Sequence, residues 1–281
     1  MMRSVLEKFN IDSFAYLPAS LCRSANMRLF SALPSLEELN VVFMLFPYYC
    51  GDCRNAISRY AAVHDYHFFA KEVFLSLEEY TKSKYPGAFA KGFSDHSPFG
   101  ECHGAAMAGL GVLGKNSLLI NERYSSFVFI GEFIVSLSPT ELEAEGIPAG
   151  QGFVRECPDC KLCARSCPAG CMDVKERTNC ISAVTQKKGI LSEDEAAALV
   201  KGASIWGCDM CQDACPYTKA ALEKGTIYTP IGFFRDSFLG ENAVDLIKAM
   251  DDSDFSLYPF SWRKREVIDR NIDIIGKGEK K

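Results

Sequence analysis

Apolar runs and helical spacing alternate along the first part of the chain. The run VVFMLFPYY (41–49) is almost continuously apolar, which predicts a buried strand ended by Pro47. From residue 55 to residue 84 the apolar positions recur at helical spacing, and Tyr85-Pro86-Gly87 ends that pattern. The pattern therefore predicts a strand followed by a long helix.

A second series of short elements surrounds Asp95. The segment AFAKGFS (88–94) predicts a strand that leads into Asp95, and residues 101–110 predict a short helix ended by glycines. SLLI (117–120) and FVFIGEFIVSL (127–137) predict two further strands. Helices and strands that alternate in this way favour an α+β fold built in layers.

The composition changes after residue 137, which predicts a domain boundary. Residues 138–152 are rich in proline, glycine and glutamate, as in a linker. Residues 155–220 hold nine of the 13 cysteines, and the chain after them predicts short helical or irregular segments. We therefore predict three parts, which span residues 1–145, 146–225 and 226–281.

Charge and apolar content restrict the location and the partners. The longest apolar run is about half of the roughly 20 residues that span a bilayer. The N-terminus lacks the apolar core of a signal peptide. We therefore expect a cytoplasmic protein without membrane contact. The net charge of −5 disfavours a general nucleic-acid binder, and we interpret basic clusters at 161–188 and 263–265 as solvated faces.

The cysteines form two closely spaced runs. The run CPDCKLCARSCP (157–168) has the spacing C-x2-C-x2-C-x3-C-P of two-cluster ferredoxins. The run CDMCQDACP (208–216) repeats this spacing without its first cysteine, where Ile205 stands. In a reducing compartment clustered cysteines bind metal more often than they form disulfides. The sequence therefore predicts two [4Fe–4S] clusters.

Each cluster needs four thiolates, one for each iron. In the ferredoxin pattern the last cysteine of each run binds the other cluster. The second cluster then lacks one ligand, and Cys180 is the natural donor. The predicted ligands are Cys157, Cys160, Cys163 and Cys215 for cluster one, and Cys167, Cys180, Cys208 and Cys211 for cluster two.

Other interpretations of the cysteines are weaker. Cysteine pairs also suit tetrahedral zinc, but a zinc site does not need a C-x3-C-P tail on both runs. Cys171 is left over, and packing is its simplest role, as it is for Cys22 and Cys102. We interpret Cys50 and Cys53 as incidental thiols, because no partner pair follows them in the sequence.

Several motifs in combination resemble the epoxyqueuosine reductase family between about residues 40 and 220. They include the cysteine runs, the segment 57–69 with its Asp-Tyr-His triplet, and SDHSPFGE (94–101). AGLGVLGKNSLLI (108–120) and SSFVFIGEF (125–133) are similar to the family's glycine-rich turn, Lys-Asn pair and following strand. The resemblance implies a nitroreductase-like cobalamin-binding domain followed by a bacterial-ferredoxin-like domain with two [4Fe–4S] clusters.

The resemblance also implies roles for single residues. Asp95 corresponds to the family's proton donor, whereas its local sequence alone also fits a solvated or capping aspartate. The residues that would lie near the corrin are Ser58, Asp95, Lys115, Asn116 and Ile130. The sequence around Lys115 is equally typical of a solvated lysine in a turn. Three histidines are candidates for a cobalt ligand or a second acid, or for ordinary packed or surface positions: His67, His96 and His103.

Departures from the family bear on the substrate. The usual Asp-Thr-(small)-Pro motif is here Asp95-His96-Ser97-Pro98, and Cys102 stands where the family often has arginine or lysine. Longer members end in a helical repeat domain that helps to hold tRNA, and we expect a short form without this domain.

The predicted function is reduction of epoxyqueuosine to queuosine in tRNA by a cobalamin-dependent oxidoreductase. Electrons would come from an external donor such as flavodoxin or ferredoxin and pass singly through the clusters to a two-electron carrier. Two alternatives stay open. One is a cobalamin-dependent reductase of a small molecule, and the other is a ferredoxin-like electron-transfer protein without corrin.

Overall fold

The computed structural model describes residues 1–53, 56–173 and 179–278. The chain packs as two compact units. The first unit comprises Met1–Pro47 and His67–Pro158, and the second comprises Tyr48–Tyr66 and Asp159–Lys281. The division into three functional parts stays a prediction, and packing assigns residues 48–66 to the second unit.

The first unit is built on a four-stranded antiparallel sheet in the order β1-β2-β6-β3. A separate two-stranded sheet joins β4 to β5. The strands predicted at 41–49, 88–94, 117–120 and 127–137 are confirmed, because each segment contains a strand. The strands are β1 (Phe14–Pro18), β2 (Asn40–Pro47), β3 (Ala90–Phe93), β4 (Val112–Leu113), β5 (Leu119–Ile120) and β6 (Val128–Val135).

Four helices accompany the strands: α1 (Met2–Lys8), α2 (Tyr66–Lys84), α3 (Glu101–Met107) and α4 (Pro139–Ala144). Alternate side chains of β2 point to opposite faces of the sheet. Phe43 faces α3, where a Cβ on Gly104 would lie only 2.2 Å from its ring, so the close approach of this helix requires glycine. Phe46 faces α2, and its ring centroid lies 5.3 Å from that of Phe69.

Helix α2 is shorter than the sequence predicts. The apolar spacing predicts a helix from residue 55, whereas α2 begins at Tyr66, and Asn55 itself lies outside the described residues. The backbone groups that precede α2 form hydrogen bonds with residues far away in sequence. Ala56 accepts the N–H of Ile205 at 2.8 Å, and Ser58 donates to the carbonyl of Trp206 at 2.8 Å. These bonds replace the hydrogen bonds of a continuous helix.

Helices are the regular elements in the described part of the second unit. The large buried side chains Trp206, Phe234 and Phe260 form the centre of its core. None of the helices in the described residues has both the length and the apolar character needed to cross a membrane. The helices are α5 (Leu162–Ser166), α6 (Ile181–Thr185), α7 (Glu193–Gly202), α8 (Met210–Asp213), α9 (Pro216–Glu223), α10 (Gly232–Arg235), α11 (Ala243–Ala249), α12 (Asp252–Phe255) and α13 (Arg265–Gly278).

Candidate active site and iron–sulfur segment

Asp95 lies on the loop that connects β3 to α3. Its φ angle is 58°, in the left-handed region that aspartate tolerates better than most residues. Its backbone N–H donates to Oε1 of Glu101 at 2.6 Å, and its Oδ2 lies 3.6 Å from Nε2 of His67. The Asp95 side chain is 65% exposed. The loop therefore fixes the backbone of Asp95 and presents its carboxyl group to solvent.

Glu101, the first residue of α3, places a second carboxyl group beside Asp95. Burial raises the pKa of Glu101 to about 7, and the negative charge of Asp95 acts in the same direction. The N–H of Asp95 and the nearby His67 lower this pKa by smaller amounts. Near neutral pH Glu101 therefore holds a proton part of the time, next to the predicted proton donor.

A third carboxyl group, that of Glu132, is buried in the middle of β6. The hydroxyl of Ser97 donates to Glu132, and Oγ of Ser97 accepts the N–H of Phe99 at 3.2 Å. Burial raises the pKa of Glu132 well above its ordinary value, against the lowering effect of the Ser97 hydrogen bond. Burial therefore favours the protonated form of Glu132, and within the described residues its Oε1 has no hydrogen-bond partner.

Ile130 connects the Asp95 loop to the sheet. Its side chain is buried on β6 opposite Leu45, and its carbonyl accepts the hydroxyl of Ser94 at 3.1 Å. This bond holds the residue before Asp95 against the strand. The structure thus brings Ile130 and the Asp95 loop together, and the contact of both with cobalamin stays a prediction.

Lys115 and Asn116 form the turn between β4 and β5. Nζ of Lys115 lies 3.2 Å from Oε2 of Glu156, and both side chains are about half exposed or more. Asn116 is buried, and its Oδ1 accepts the N–H of Leu118 at 3.3 Å. A Cβ at Gly114 would lie 2.3 Å from this oxygen, so the turn requires glycine. Lys115 is therefore an ion-paired surface lysine, and Asn116 stabilises the turn.

Ser58 belongs to the second unit, in a buried polar network. Its hydroxyl donates to Oδ1 of Asp209, whose Oδ2 accepts the N–H of Arg59 at 2.8 Å. The Arg59 guanidinium lies 3.1 Å from Asp209 and 2.9 Å from Asp213. This network joins the segment before α2 to the residues around α8. The contact of Ser58 with cobalamin stays a prediction.

The candidate histidines have different surroundings. His67 faces Asp95, as described above, whereas Nε2 of the exposed His96 lies 3.4 Å from the Asn26 amide nitrogen. Nδ1 of His103 is buried and has no hydrogen-bond partner within the described residues. The structure therefore places His67 beside the predicted acid.

Four thiols come together in the second unit. Sγ of Cys167 lies 3.5 Å from Sγ of Cys171, and the Cys171 thiol also interacts with Cys180. Cys208 lies within electrostatic range of Cys167 and Cys180. Three of the four ligands predicted for cluster two are thus neighbours. Cys171, which the sequence left for packing, is buried among them.

The surroundings of Cys167 and Cys157 suit thiolate ligands. Burial raises the pKa of the Cys167 thiol, but hydrogen bonds from Cys171 and the backbone amides of Ala169 and Gly170 outweigh burial and lower it. In the first unit, the N–H of Lys115 donates to Sγ of Cys157 at 3.3 Å. Hydrogen bonds to sulfur are among the features that tune iron–sulfur clusters, so this donor set fits the predicted cofactor.

The other predicted ligands lie on or beside short helices of the second unit. Cys163 is on α5, and Cys211 is on α8. The two helices pack together, and the hydroxyl of Ser166 donates to the carbonyl of Met210 at 3.2 Å. In the described ranges, no three His, Cys, Asp or Glu side chains form a group that could hold a single metal ion. Cys160 is exposed, and Cys215 is buried.

Sequence reasoning missed Glu101, Glu132 and Arg59. Glu132 had a visible signal, because it is a charged residue inside the apolar run FVFIGEFIVSL. Glu101 begins a helix, where an acidic residue is ordinary, so nothing marked it. Arg59 is buried only because Asp209 and Asp213 are far away in sequence and close in the fold.

Comparisons with known proteins agree with this description. Residues 156–218 match the family described as "4Fe-4S double cluster binding domain". An epoxyqueuosine reductase from Cyclobacterium marinum is 32% identical over 190 residues, which cover 64% of this chain and 58% of the relative. The chain thus matches less than two thirds of the length of this curated relative.

Solved structures show the same fold. An epoxyqueuosine reductase from Streptococcus thermophilus matches with a TM-score of 0.74 and 21% identity, over 99% of this chain and 80% of the other. The structure of an epoxyqueuosine reductase with an epoxyqueuosine-modified tRNA-Tyr stem loop matches with a TM-score of 0.72 and 20% identity, over 97% and 80% of the two chains.

The fold and the cysteine segment define an α+β protein with a double [4Fe–4S] cluster domain. The resemblance to the epoxyqueuosine reductase family, which the motifs indicated, is confirmed by the curated relatives and by the shared fold.

Proposed function

We propose that this chain is a cobalamin-dependent reductase that converts epoxyqueuosine in tRNA to queuosine. The observation that carries the proposal is the extent of the similarity. The alignment with the Cyclobacterium marinum relative covers 190 residues, about three times the length of the cluster segment 156–218. A protein that shared only a ferredoxin-like segment would not be similar over this length.

The substrate follows from the relatives. Several curated relatives are epoxyqueuosine reductases, and one solved structure of the same fold was obtained with an epoxyqueuosine-modified tRNA stem loop. We therefore propose that tRNA is the substrate and that an external protein such as flavodoxin or ferredoxin supplies electrons. The cytoplasmic location stays a prediction of the same kind.

The side chains of the first unit fit a bound cobalamin at the Asp95 loop. Asp95 presents an exposed carboxyl group, and Ile130 places an apolar side chain on the strand to which this loop is tied. The half-exposed ammonium group of Lys115 suits a phosphate or carboxamide oxygen, in exchange for Glu156. When bound, cobalamin supplies two-electron reducing chemistry at cobalt.

The reaction consumes two electrons and two protons, and the epoxide oxygen leaves as water. Both carbon–oxygen bonds of the epoxide break. Asp95 donates a proton as the first bond breaks, so that the oxygen becomes a hydroxyl group and not an alkoxide, and a second proton is taken up as this hydroxyl group leaves as water. Glu101 holds a proton near neutral pH and contacts the backbone of Asp95, so it helps to keep a proton at the site. When bound by the cysteines of the two runs, the [4Fe–4S] clusters would supply the electrons one at a time.

Two measurements on anaerobically purified protein with both clusters test the proposal. The first is the absorption spectrum after incubation with cobalamin and desalting, where we expect retained corrin. The second is conversion of an epoxyqueuosine-containing stem loop to queuosine. Asp95→Asn should abolish conversion and keep the iron content, whereas Asp245→Asn, an exposed aspartate on α11, should convert at the wild-type rate.

Each result has a separate meaning. If the protein retains corrin but does not convert the stem loop, its substrate is a molecule other than epoxyqueuosine in tRNA. If the protein does not retain corrin, the result would favour the alternative function, a ferredoxin-like electron carrier. Full activity of Asp95→Asn would remove Asp95 from the mechanism.

A further inference from the structure

A positively charged pocket lies in the second unit, between the loop that follows α6 and the start of α13. Its volume is about 290 Å³. One wall is the loop at Lys188 and Gly189, and the other is the segment 263–270 at the start of α13. We propose that this pocket binds a backbone phosphate of the substrate RNA, an inference that rests on the proposed function.

The pocket is held in shape by Arg270. Its Nη1 donates to the carbonyls of Lys187 and Gly189 at 2.7 and 2.6 Å, which pins the loop to α13. Its Nε and Nη2 donate to Oδ1 of Asn271, whose amide is in turn bonded to Thr185 and Ile205. The two walls of the pocket are therefore held in place before any ligand binds, and Arg270 contributes a positive charge to the lining.

In the described part of the chain, the two lysines that line the pocket lack the ion pairs and hydrogen bonds of the neighbouring basic side chains. Lys187 pairs with Glu195 at 2.5 Å, and Arg265 donates to the carbonyls of Ile247 and Met250. In contrast, Lys188 and Lys264 are exposed and make no ion pair within the described residues. Both of these lysines line the pocket, together with Arg270, which holds its walls.

Arg263 gives a further indication that the pocket takes an anion. Its Nε is buried without a hydrogen-bond partner in the part of the chain that the structure describes. Glu266 is the one acidic side chain among the lining residues, against four basic ones. The pocket also lies at the positive end of the α13 dipole, where cations are unfavourable unless an anion joins them.

RNA is the source of phosphate that the surroundings favour. Trp262 is 57% exposed beside the pocket, and the Arg263 guanidinium carbon lies 3.6 Å from the centroid of its ring. An exposed aromatic ring next to basic side chains is the usual platform for unpaired RNA bases, because every base can stack on it. The net charge of the chain is −5, so the positive potential is local.

The test compares two double variants of the full chain with both clusters. Lys188→Ala/Lys264→Ala removes two pocket charges, and Lys8→Ala/Lys224→Ala removes two exposed lysine charges elsewhere. The probe is a fluorescently labelled, unmodified anticodon stem loop, and the Kd is measured by anisotropy at several salt concentrations. Unchanged iron content and thermal unfolding confirm that the variants are folded.

We expect the pocket variant to bind the stem loop about tenfold more weakly than the wild type. The slope of log Kd against log salt concentration should decrease by the amount expected for the loss of about one to two phosphate contacts. The control variant should bind like the wild type. Trp262→Ala should weaken binding severalfold without a change in salt dependence. Equal Kd values for both double variants, or no binding of the stem loop by the wild type, would overturn the proposal.

Two further outcomes separate this proposal from the proposed function and from free phosphate. Loss of RNA binding in the pocket variant, together with no reduction of epoxyqueuosine by the wild type, would support the pocket and reject the reaction. Reduction of epoxyqueuosine by the wild type, together with unchanged RNA binding in the pocket variant, would support the reaction and reject the pocket. Displacement of the stem loop by millimolar inorganic phosphate at constant ionic strength would instead indicate a site for free phosphate.

Discussion

At the scale of single residues, Glu101 is expected to set the pH range of turnover. Burial and the nearby charge of Asp95 raise the pKa of Glu101 to about 7, so Glu101 loses its proton as the pH rises through this value. Activity that depends on this proton should therefore fall as the pH rises through about 7. Glu101→Gln has no proton to lose, so this fall should be absent from its profile, and its kcat below pH 7 should be roughly tenfold lower than that of the wild type.

The pH profile of kcat between pH 5 and 9 checks this expectation. Glu122→Gln, an exposed glutamate in the turn before β6, is the matched control and should keep the wild-type profile. Superimposable profiles for Glu101→Gln and the wild type would show that the proton of Glu101 does not control turnover.

Stability gives a second measure of Glu101, independent of turnover. The pKa of Glu101 in the folded state, about 7, lies above the ordinary 4.5. The stabilisation linked to its proton is therefore complete below about pH 4.5 and is lost as the pH rises through 7. The unfolding free energy of Glu101→Gln should fall less than that of the wild type between pH 5 and 8, as urea denaturation at each pH will show.

Cys180 and Cys171 provide another residue-scale prediction, because both thiols lie near Cys167. If Cys180 is the fourth ligand of cluster two, Cys180→Ala should reduce the iron content from about eight to about four atoms per chain. Cys171→Ala should retain about eight. Iron content is measured on anaerobically purified protein. About four irons in Cys171→Ala and about eight in Cys180→Ala would show that Cys171, and not Cys180, is the ligand.

At the scale of elements, one buried ion pair fastens the segment 48–66 within the second unit. The side chains of Arg59 and Asp209 are 9% and 5% exposed. Arg59→Met leaves a buried carboxylate without its partner, which costs about 3–5 kcal/mol. Lys82→Met, which removes an exposed pair with Glu78 on α2, should cost less than about 1 kcal/mol. Similar denaturation midpoints for the two variants would contradict a structural role for this network.

The strands could be predicted from sequence because their apolar pattern is local. Each of the four segments predicted as strands between residues 41 and 137 contains a strand, since a run such as VVFMLFP is buried whichever face it presents. The start of α2 could not be predicted, because residues 56–65 have helical spacing but bond to Ile205 and Trp206. These partners are about 150 residues away, and local spacing holds no information about them.

The candidate site divides in the same way. Cysteine spacing predicted Cys167 and Cys208, since ligand spacing is a local property, and Cys180 was added because cluster two lacked a fourth ligand. The structure places these three thiols near each other. The contacts of Asp95 with Glu101 and His67 depend on a left-handed turn and on the packing of α3 and α2. No sequence rule anticipates that combination, and Glu132 was visible only as a charge in an apolar strand.

At the scale of the whole molecule, the two units differ in what stabilises them. Each unit has an apolar core, but in the second unit the predicted ligand cysteines lie on or beside short helices such as α5 and α8, of five and four residues. Metal binding contributes directly to folding where the ligands are held by little other structure. Removal of the clusters should therefore destabilise the second unit and leave the first unit close to its original stability.

Limited proteolysis of protein with and without clusters tests this difference. After anaerobic chelation of iron, cleavage between residues 159 and 230 should become at least tenfold faster, because local unfolding exposes the backbone. Cleavage within β2 and β6 should keep its rate, since both strands are fully or largely buried without metal. Equal acceleration in both units would mean that the clusters stabilise the entire chain, and no acceleration would mean that the helices of the second unit fold without them.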